Sequence, residues 1–64
     1  MGKYPYKYMR LAEDIEDTEL KKDDIVMVVR ELDYESYITY VDRRNDIHGL
    51  WVSNKNLKPI ASFL

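Results

Sequence analysis

The sequence predicts a small all-β domain, a five-stranded barrel, and three observations support this. Short runs rich in β-branched and aromatic residues, some with a polar alternation of period two, are typical of strands. Clusters of Asn, Asp, Ser and Lys separate these runs at close spacing, as turns do in small barrels. A chain of 64 residues is too short to cover a sheet with helices, and a barrel protects its strand edges.

The first strand is predicted near the N-terminus. Tyr4, Tyr6 and Tyr8 alternate with Pro5 and Lys7, so one face of the strand is aromatic. Proline has no amide hydrogen for a strand ladder, so the strand should begin at Pro5 or lie at a sheet edge.

Residues 10–23 are the least regular part of the chain and carry a run of acidic side chains. Leu11 and Ile15 have the spacing of one helix face, and Thr18 extends it. Both a helix and a long loop therefore fit this segment on its residues alone.

Four further strands follow from the residue pattern. We expect them at residues 24–30, 36–41, 47–52 and 57–60, with a 3₁₀ turn within residues 53–56. Asn45 and Asp46 can supply a positive φ for a hairpin, and Gly49 indicates a bulge or a close backbone approach. The predicted core consists of Val26, Val28, Ile38, Val52 and Leu57.

We expect the chain to divide into a flexible N-terminus at residues 1–5, the barrel at 6–60 and a tail at 61–64. In the tail, Phe63 and Leu64 are expected either to fold back onto the barrel or to stay mobile. The apolar run at residues 25–29 has side chains for both faces of its strand, and a small barrel can bury only one set. The other set needs cover from the tail, a loop or a second subunit, which leaves a homodimer open.

Composition bears on location and on partners. The chain has no Cys, no signal peptide and no apolar stretch of membrane-spanning length, so we expect a cytoplasmic protein without membrane contact. Ten basic residues stand against twelve acidic ones, so the basic excess of a duplex-DNA binder is missing. A nucleic-acid-binding barrel remains the alternative function if the basic residues gather beside Tyr37, Tyr40 and Trp51; they are Lys21, Lys22, Arg30, Arg43, Arg44, Lys55 and Lys58.

Two segments resemble the Src-homology 3 (SH3-like) family. Residues 20–29, LKKDDIVMVV, are similar to its diverging turn and following strand, and residues 51–57, WVSNKNL, to its strand, 3₁₀ turn and last strand. The resemblance spans about residues 6–60 and implies a five-stranded barrel with a long acidic first loop, which favours a loop over a helix at residues 10–23.

The departures from that family concern its peptide groove. Ser53 and Asn56 stand where the family has a proline and a tyrosine, and only Tyr8 and Trp51 carry over residue by residue. Asp23 replaces the usual turn glycine. These departures predict a bacterial or phage type of protein rather than a binder of proline-rich peptides.

We expect a non-catalytic protein-interaction module or small accessory protein. His48 is the single histidine and has no nucleophile arrangement around it, so no catalytic residues and no enzyme activity are predicted. The acidic run lacks the ligand spacing of a calcium loop, so neither a metal nor a cofactor is expected.

The partner is expected to be a protein or peptide. The acidic run is interpreted first as a solvated loop and, as the alternative, as a docking surface for a basic partner. Trp51 is either part of the core or an exposed anchor, and as an anchor it would form one aromatic patch with Tyr6 and Tyr8. The candidate partner-binding residues are Tyr6, Tyr8, Glu13, Asp14, Glu16, Asp17, Tyr37, Trp51 and Asn56.

Overall fold

The computed structural model describes residues 6–60. The expectations for residues 1–5 and 61–64 lie outside this range. Five strands within it form one antiparallel sheet in the order β4-β3-β2-β1-β5, curled into a half-barrel, so the prediction of a five-stranded all-β fold is confirmed. The strands are β1 (Lys7–Leu11), β2 (Ile25–Glu31), β3 (Glu35–Val41), β4 (Ile47–Ser53) and β5 (Leu57–Lys58), with a 3₁₀ turn, η1 (Asn54–Asn56), before β5.

The core lies on the concave face of the sheet. Val26 and Val28 on β2 alternate with outward-facing neighbours, and Ile38 and Val52 face them from β3 and β4, as predicted. Leu57 is only partly buried and packs against this core. Two core residues were not predicted from the sequence, Leu11 at the end of β1 and Leu20 from the following loop.

The first strand begins and ends later than the residue pattern suggests. β1 starts at Lys7 and continues through Arg10 and Leu11, which the sequence reading placed in the irregular segment. Leu11 pairs with Leu57 of β5, and Arg10 pairs with both Ile25 and Lys58. Pairing partners distant in sequence therefore extend the strand, and they are invisible to a local pattern.

Gly49 does not interrupt β4, because the register between β3 and β4 runs through seven consecutive pairs. Instead, the Tyr37 ring lies over it: a Cβ on Gly49 would be 2.6 Å from the Tyr37 Cζ. A close approach by a side chain, rather than a bulge, explains the glycine. The bulge of the sheet is in β2, where the register against β3 shifts between Val28 and Arg30.

The hairpin between β3 and β4 forms at the predicted turn. Asn45 adopts a φ of 72°, its amide donates to the Asp42 carbonyl, and the Asp42 amide donates to the Asp46 carbonyl, each at 2.9 Å. This is a five-residue turn with a left-handed residue at its fourth position, a role in which Asn is the usual substitute for Gly.

A polar network joins η1 to the connection between β2 and β3. The Ser36 hydroxyl, almost fully buried, donates to the Asn54 Oδ1 at 2.6 Å. The side-chain Nδ2 of Asn54 donates to the carbonyl oxygens of Leu32 and Asp33 at 2.9 and 3.2 Å. The backbone amide of Asn54 donates to the Tyr34 carbonyl. One side chain thereby satisfies a buried hydroxyl and two loop carbonyls.

Candidate functional site

The acidic segment between β1 and β2 is a loop that holds itself in one conformation. The Ile15 amide donates to the Leu20 carbonyl at 3.1 Å, and the Thr18 hydroxyl bridges the Ile15 carbonyl and the Leu20 amide. Asp17 takes a left-handed φ of 64° at the tip. Leu20 is buried and Ile15 packs against the core, so the apolar residues anchor the loop while its carboxylates face solvent. The preference for a loop over a helix is confirmed.

A tight turn holds the second end of this loop against the sheet. The Asp24 amide donates to the Lys21 carbonyl at 3.0 Å, and the Asp24 carboxylate accepts the Lys21 amide at 2.9 Å. Asp23 adopts a φ of 75°, the conformation for which glycine is usual, and its amide donates to the Leu11 carbonyl. The Arg10 guanidinium lies 3.6 Å from the Asp23 carboxylate. A local charge pair thus accompanies the left-handed residue.

The loop and β4 enclose an open groove of about 580 Å³. One wall is the loop, and the other is formed by the C-terminal half of β4 and by η1. The Ala12 amide donates to the Asn56 carbonyl at 2.7 Å and joins the two walls at one end. The lining residues are Glu13, Asp14, Ile15, Glu16, Asp17, Leu50, Trp51 and Asn56.

Four carboxylates give one wall of the groove a negative potential. The Asp14 Oδ1 accepts the Lys22 amide at 2.8 Å, which fixes that carboxylate in place. Glu13, Glu16 and Asp17 have no hydrogen bond or ion pair to any residue within 6–60, and all three are exposed. Clustered like charges in a groove raise the local concentration of cations and favour a positively charged ligand.

The opposite wall carries an aromatic pair. Trp51 retains 43% of its exposure, so it belongs to the surface rather than to the core. The Tyr37 and Trp51 rings pack with centroids 5.3 Å apart and planes tilted by 59°. Tyr37 is in turn held over Gly49. An exposed indole that is held in place by packing against a second ring is a suitable surface for a cation or an apolar side chain.

The structure divides the sequence-predicted residues into two groups. Six of them line one groove, namely Glu13, Asp14, Glu16, Asp17, Trp51 and Asn56, and Tyr37 packs on Trp51. Tyr8, on β1, does not line this groove. Tyr6, 61% exposed, precedes β1. The expected aromatic patch of Tyr6, Tyr8 and Trp51 would have required Tyr8 to line the same groove as Trp51. The position of one strand relative to another cannot be inferred from the residues of a single strand.

Tyr8 lies on the convex face of the sheet, at a depression that does not include Trp51. It borders this depression of about 410 Å³ with Ile25 and Met27, the outward set of the apolar run in β2, and with Val41 and Ile47. No loop within residues 6–60 lines this depression.

Two residues of the groove, Leu50 and Ile15, were not predicted from the sequence, because a partly buried aliphatic residue carries no functional signal of its own.

Two of the basic residues, Lys21 and Arg43, share a depression with Tyr40, but its charge is mixed. The depression also contains Glu19, Asp24 and Asp42, so acidic neighbours offset the two basic residues. Tyr40 stacks on His48, with ring centroids 5.3 Å apart, and not on Trp51.

His48 is bound to Asp42, a contact that the sequence did not suggest. The His48 Nε2 lies 2.6 Å from the Asp42 Oδ2, and the Arg44 and Asp46 amides donate to the Asp42 Oδ1 at 2.8 and 2.9 Å. The hydrogen bond from His48, followed by that from the Asp46 amide, lowers the pKa of the Asp42 carboxyl below its ordinary value of 3.8. The pair closes the β3–β4 hairpin, and no hydroxyl within residues 6–60 hydrogen-bonds to the His48 ring.

This pKa shift predicts an acid-dependent loss of stability at the hairpin. Because the folded pKa of Asp42 is depressed, its stabilising contribution is complete above pH 3.8 and is lost as the pH falls through the folded value. We expect the difference in unfolding midpoint between the wild type and Asp42→Asn to shrink as the pH is lowered from 6 to about 2.5, in urea titrations followed by Trp51 fluorescence.

The matched control is Asp46→Asn, because the Asp46 carboxylate, in the same turn, makes no hydrogen bond within residues 6–60. The difference in unfolding midpoint between the wild type and Asp46→Asn should stay nearly constant as the pH is lowered. A wild-type minus Asp42→Asn difference that stays constant over the whole range would contradict this role for Asp42.

Two further observations bear on the kind of site present. Within residues 6–60 there is no group of three or more His, Asp or Glu side chains arranged to hold a metal ion. The described part of the chain also has no helix with the length and hydropathy to cross a bilayer.

No protein-family model matches the chain, and no curated protein or solved structure gives a significant match.

Proposed function

We propose that this protein is a non-catalytic interaction domain that binds an extended, positively charged peptide segment of a partner protein. The observation that carries the proposal is the groove in which four carboxylates face an exposed tryptophan. A lysine or arginine side chain lying there contacts the negative charge, and a neighbouring side chain of the peptide packs on the exposed indole. Charge pairing provides attraction and orientation, and contact with Trp51 adds buried aromatic area.

The rigidity of the acidic loop supports this proposal. The Thr18 hydroxyl bridge, the amide of Lys22 on Asp14 and the amide of Ala12 on the Asn56 carbonyl hold both ends of the loop and its tip. A ligand then meets a loop that is already ordered, so binding costs less conformational entropy. A flexible acidic loop would attract cations without orienting them.

The chemistry of the second wall favours a charged ligand over a proline-rich one. Polyproline segments dock between flat aromatic walls. Ser53 and Asn56 are polar and take the places where the Src-homology 3 pattern has a proline and a tyrosine. Trp51 with Tyr37 provides one aromatic surface rather than a series of them.

The classification of the fold as a Src-homology 3-like barrel is part of the proposal, as are a bacterial or phage origin and a cytoplasmic location. The support is the sheet order, the turn at residues 21–24 with its left-handed Asp23, and the position of η1 between β4 and β5. Unrelated functions share such barrels, so the groove and not the fold carries the functional argument.

The test is a calorimetric titration with a decapeptide in which arginine alternates with threonine. We expect binding by the wild type and at least tenfold weaker binding by the double variant Glu13→Lys, Glu16→Lys, since two lost charge pairs are worth about 1.4 kcal/mol together. Trp51→Ala should also weaken binding, by about 1 kcal/mol or more.

The control is the double variant Glu31→Lys, Glu35→Lys, which changes the net charge equally at exposed positions outside the groove. It should bind the peptide within about threefold of the wild type, because neither carboxylate lines the groove. Equal losses in both double variants would mean that net charge alone attracts the peptide and would refute the groove. Salt-dependent binding of a single-stranded oligonucleotide, with no binding of the peptide, would favour the nucleic-acid alternative instead.

A further inference from the structure

β4 is an edge strand of the sheet. In the described residues 6–60 it pairs with β3 and with no other strand, and it stands first in the sheet order. Its opposite side therefore presents backbone groups that no other strand of this range satisfies. Such an edge is a template for a further strand.

The hairpin turn determines which backbone groups are open. The Asp42 amide donates to the Asp46 carbonyl, which sets the phase of the antiparallel ladder. Hydrogen-bonded and non-bonded pairs then alternate along the unbroken register, so His48, Leu50 and Val52 bond to β3. The amides and carbonyls of the residues between them point away from the sheet; these residues are Ile47, Gly49 and Trp51.

This edge lacks the usual protection against pairing. Natural edge strands are blunted by proline, by charged side chains, by bulges or by being very short. β4 has seven residues, IHGLWVS, without proline, lysine, arginine or a carboxylate, and its register is continuous. Ile47 is 76% exposed, and Gly49 has no side chain to obstruct an approaching chain. β4 is therefore open to an incoming backbone.

The open edge lies beside the acidic loop. Leu50 and Trp51 of β4 line the same groove as Glu13 and Glu16, so a chain along this edge has β4 on one side and carboxylates on the other. Leu50 belongs to the concave face, since it packs against the core, whereas Trp51 faces outward with Tyr37. A new strand would thus place alternate side chains toward the loop and alongside Trp51.

We propose that the cationic peptide binds by adding a sixth strand to β4. Its backbone hydrogen-bonds to Ile47, Gly49 and Trp51, and every second side chain is basic and faces the acidic loop. The remaining side chains lie beside Ile47 and Trp51 on the convex face, where β-branched or aromatic residues fit. This inference rests on the proposed function, because it states how the peptide of that proposal is held and why its charges recur at a period of two.

Amide hydrogen exchange measured by NMR on the full chain tests the added strand. On saturation with the alternating arginine–threonine decapeptide, we expect exchange at Ile47, Gly49 and Trp51 to slow at least tenfold. His48, Leu50 and Val52 already bond to β3 and serve as internal controls, so their exchange should change much less. This alternation is expected of a strand and not of a side-chain contact alone.

Peptide N-methylation provides a second readout. Only one alternate set of peptide amides can face β4. Methylation of that set should weaken binding at least tenfold, and methylation of the other set should leave it within about threefold. Two isomers that bind equally well would refute the added strand.

The other outcomes separate this inference from the function on which it rests. Binding that depends on Glu13 and Glu16 but gives no alternating protection overturns the added strand and leaves the peptide groove standing. No binding of the peptide at all refutes both. Protection of Ile47, Gly49 and Trp51 that rises with protein concentration alone, together with a dimer in sedimentation, assigns the edge to a second copy of the chain and overturns the inference.

Discussion

Replacing Ile38 by alanine should remove about 2–5 kcal/mol from the free energy of unfolding. Ile38 is fully buried at the centre of the sheet, between its pairing partners Val28 on β2 and Leu50 on β4. Alanine leaves a cavity that these strands can only partly close. A domain of this length has a total stability of roughly 3–10 kcal/mol, so the variant should lose a large fraction of it.

Ile47→Ala is the matched control for this experiment. Ile47 lies on the neighbouring strand and carries the same side chain, but it is 76% exposed. Its replacement should change the free energy of unfolding by less than about 0.5 kcal/mol. Urea titrations of the two variants give the comparison, and similar losses for both would mean that the concave face is not the core.

Replacing Asn54 by alanine should have the second largest effect, a loss of about 2–4 kcal/mol. The side chain makes three hydrogen bonds, one accepted from the Ser36 hydroxyl and two donated to the Leu32 and Asp33 carbonyls. Ser36 is 1% exposed, so its hydroxyl has no water to replace the lost partner. An unsatisfied buried hydroxyl costs more than the hydrogen bond contributed.

A double-mutant cycle isolates this cost. Ser36→Ala in the Asn54→Ala background removes the orphaned hydroxyl and should recover about 1 kcal/mol or more of the loss. Asn56→Ala is the control within η1, because the Asn56 side chain makes no hydrogen bond within residues 6–60 and only its carbonyl is used. Equal losses for Asn54→Ala and Asn56→Ala would contradict a specific role for the network.

The candidate groove was partly predictable from the residue pattern. The acidic run and the single tryptophan stand out by composition, and both line the groove. The residue pattern did not predict that these residues lie in one groove. Glu13 and Trp51 are far apart in sequence, and the loop brings them together by folding toward β4. The residue pattern also grouped Tyr8 with Trp51, whereas the two side chains line different depressions.

The Asp42–His48 pair shows the same limit at short range. Both residues are visible in the sequence, and the turn between them was predicted. Their contact depends on the five-residue hairpin geometry, in which Asn45 reverses the chain and brings the start of β4 back over Asp42. One residue more or fewer in the turn would move His48 to the other face of its strand.

By itself, the sequence determined the β class, the positions of the central strands and the turn residues. These follow from local properties: branched side chains at period two, and Asn or Asp where the backbone must take a positive φ. The tertiary structure decided what depends on pairing between distant residues. It extended β1 to Leu11, gave Asn54 its buried partner and placed β4 at an edge where, within residues 6–60, it pairs with β3 alone. Which strand neighbours which is a property of the whole sheet and not of any one segment.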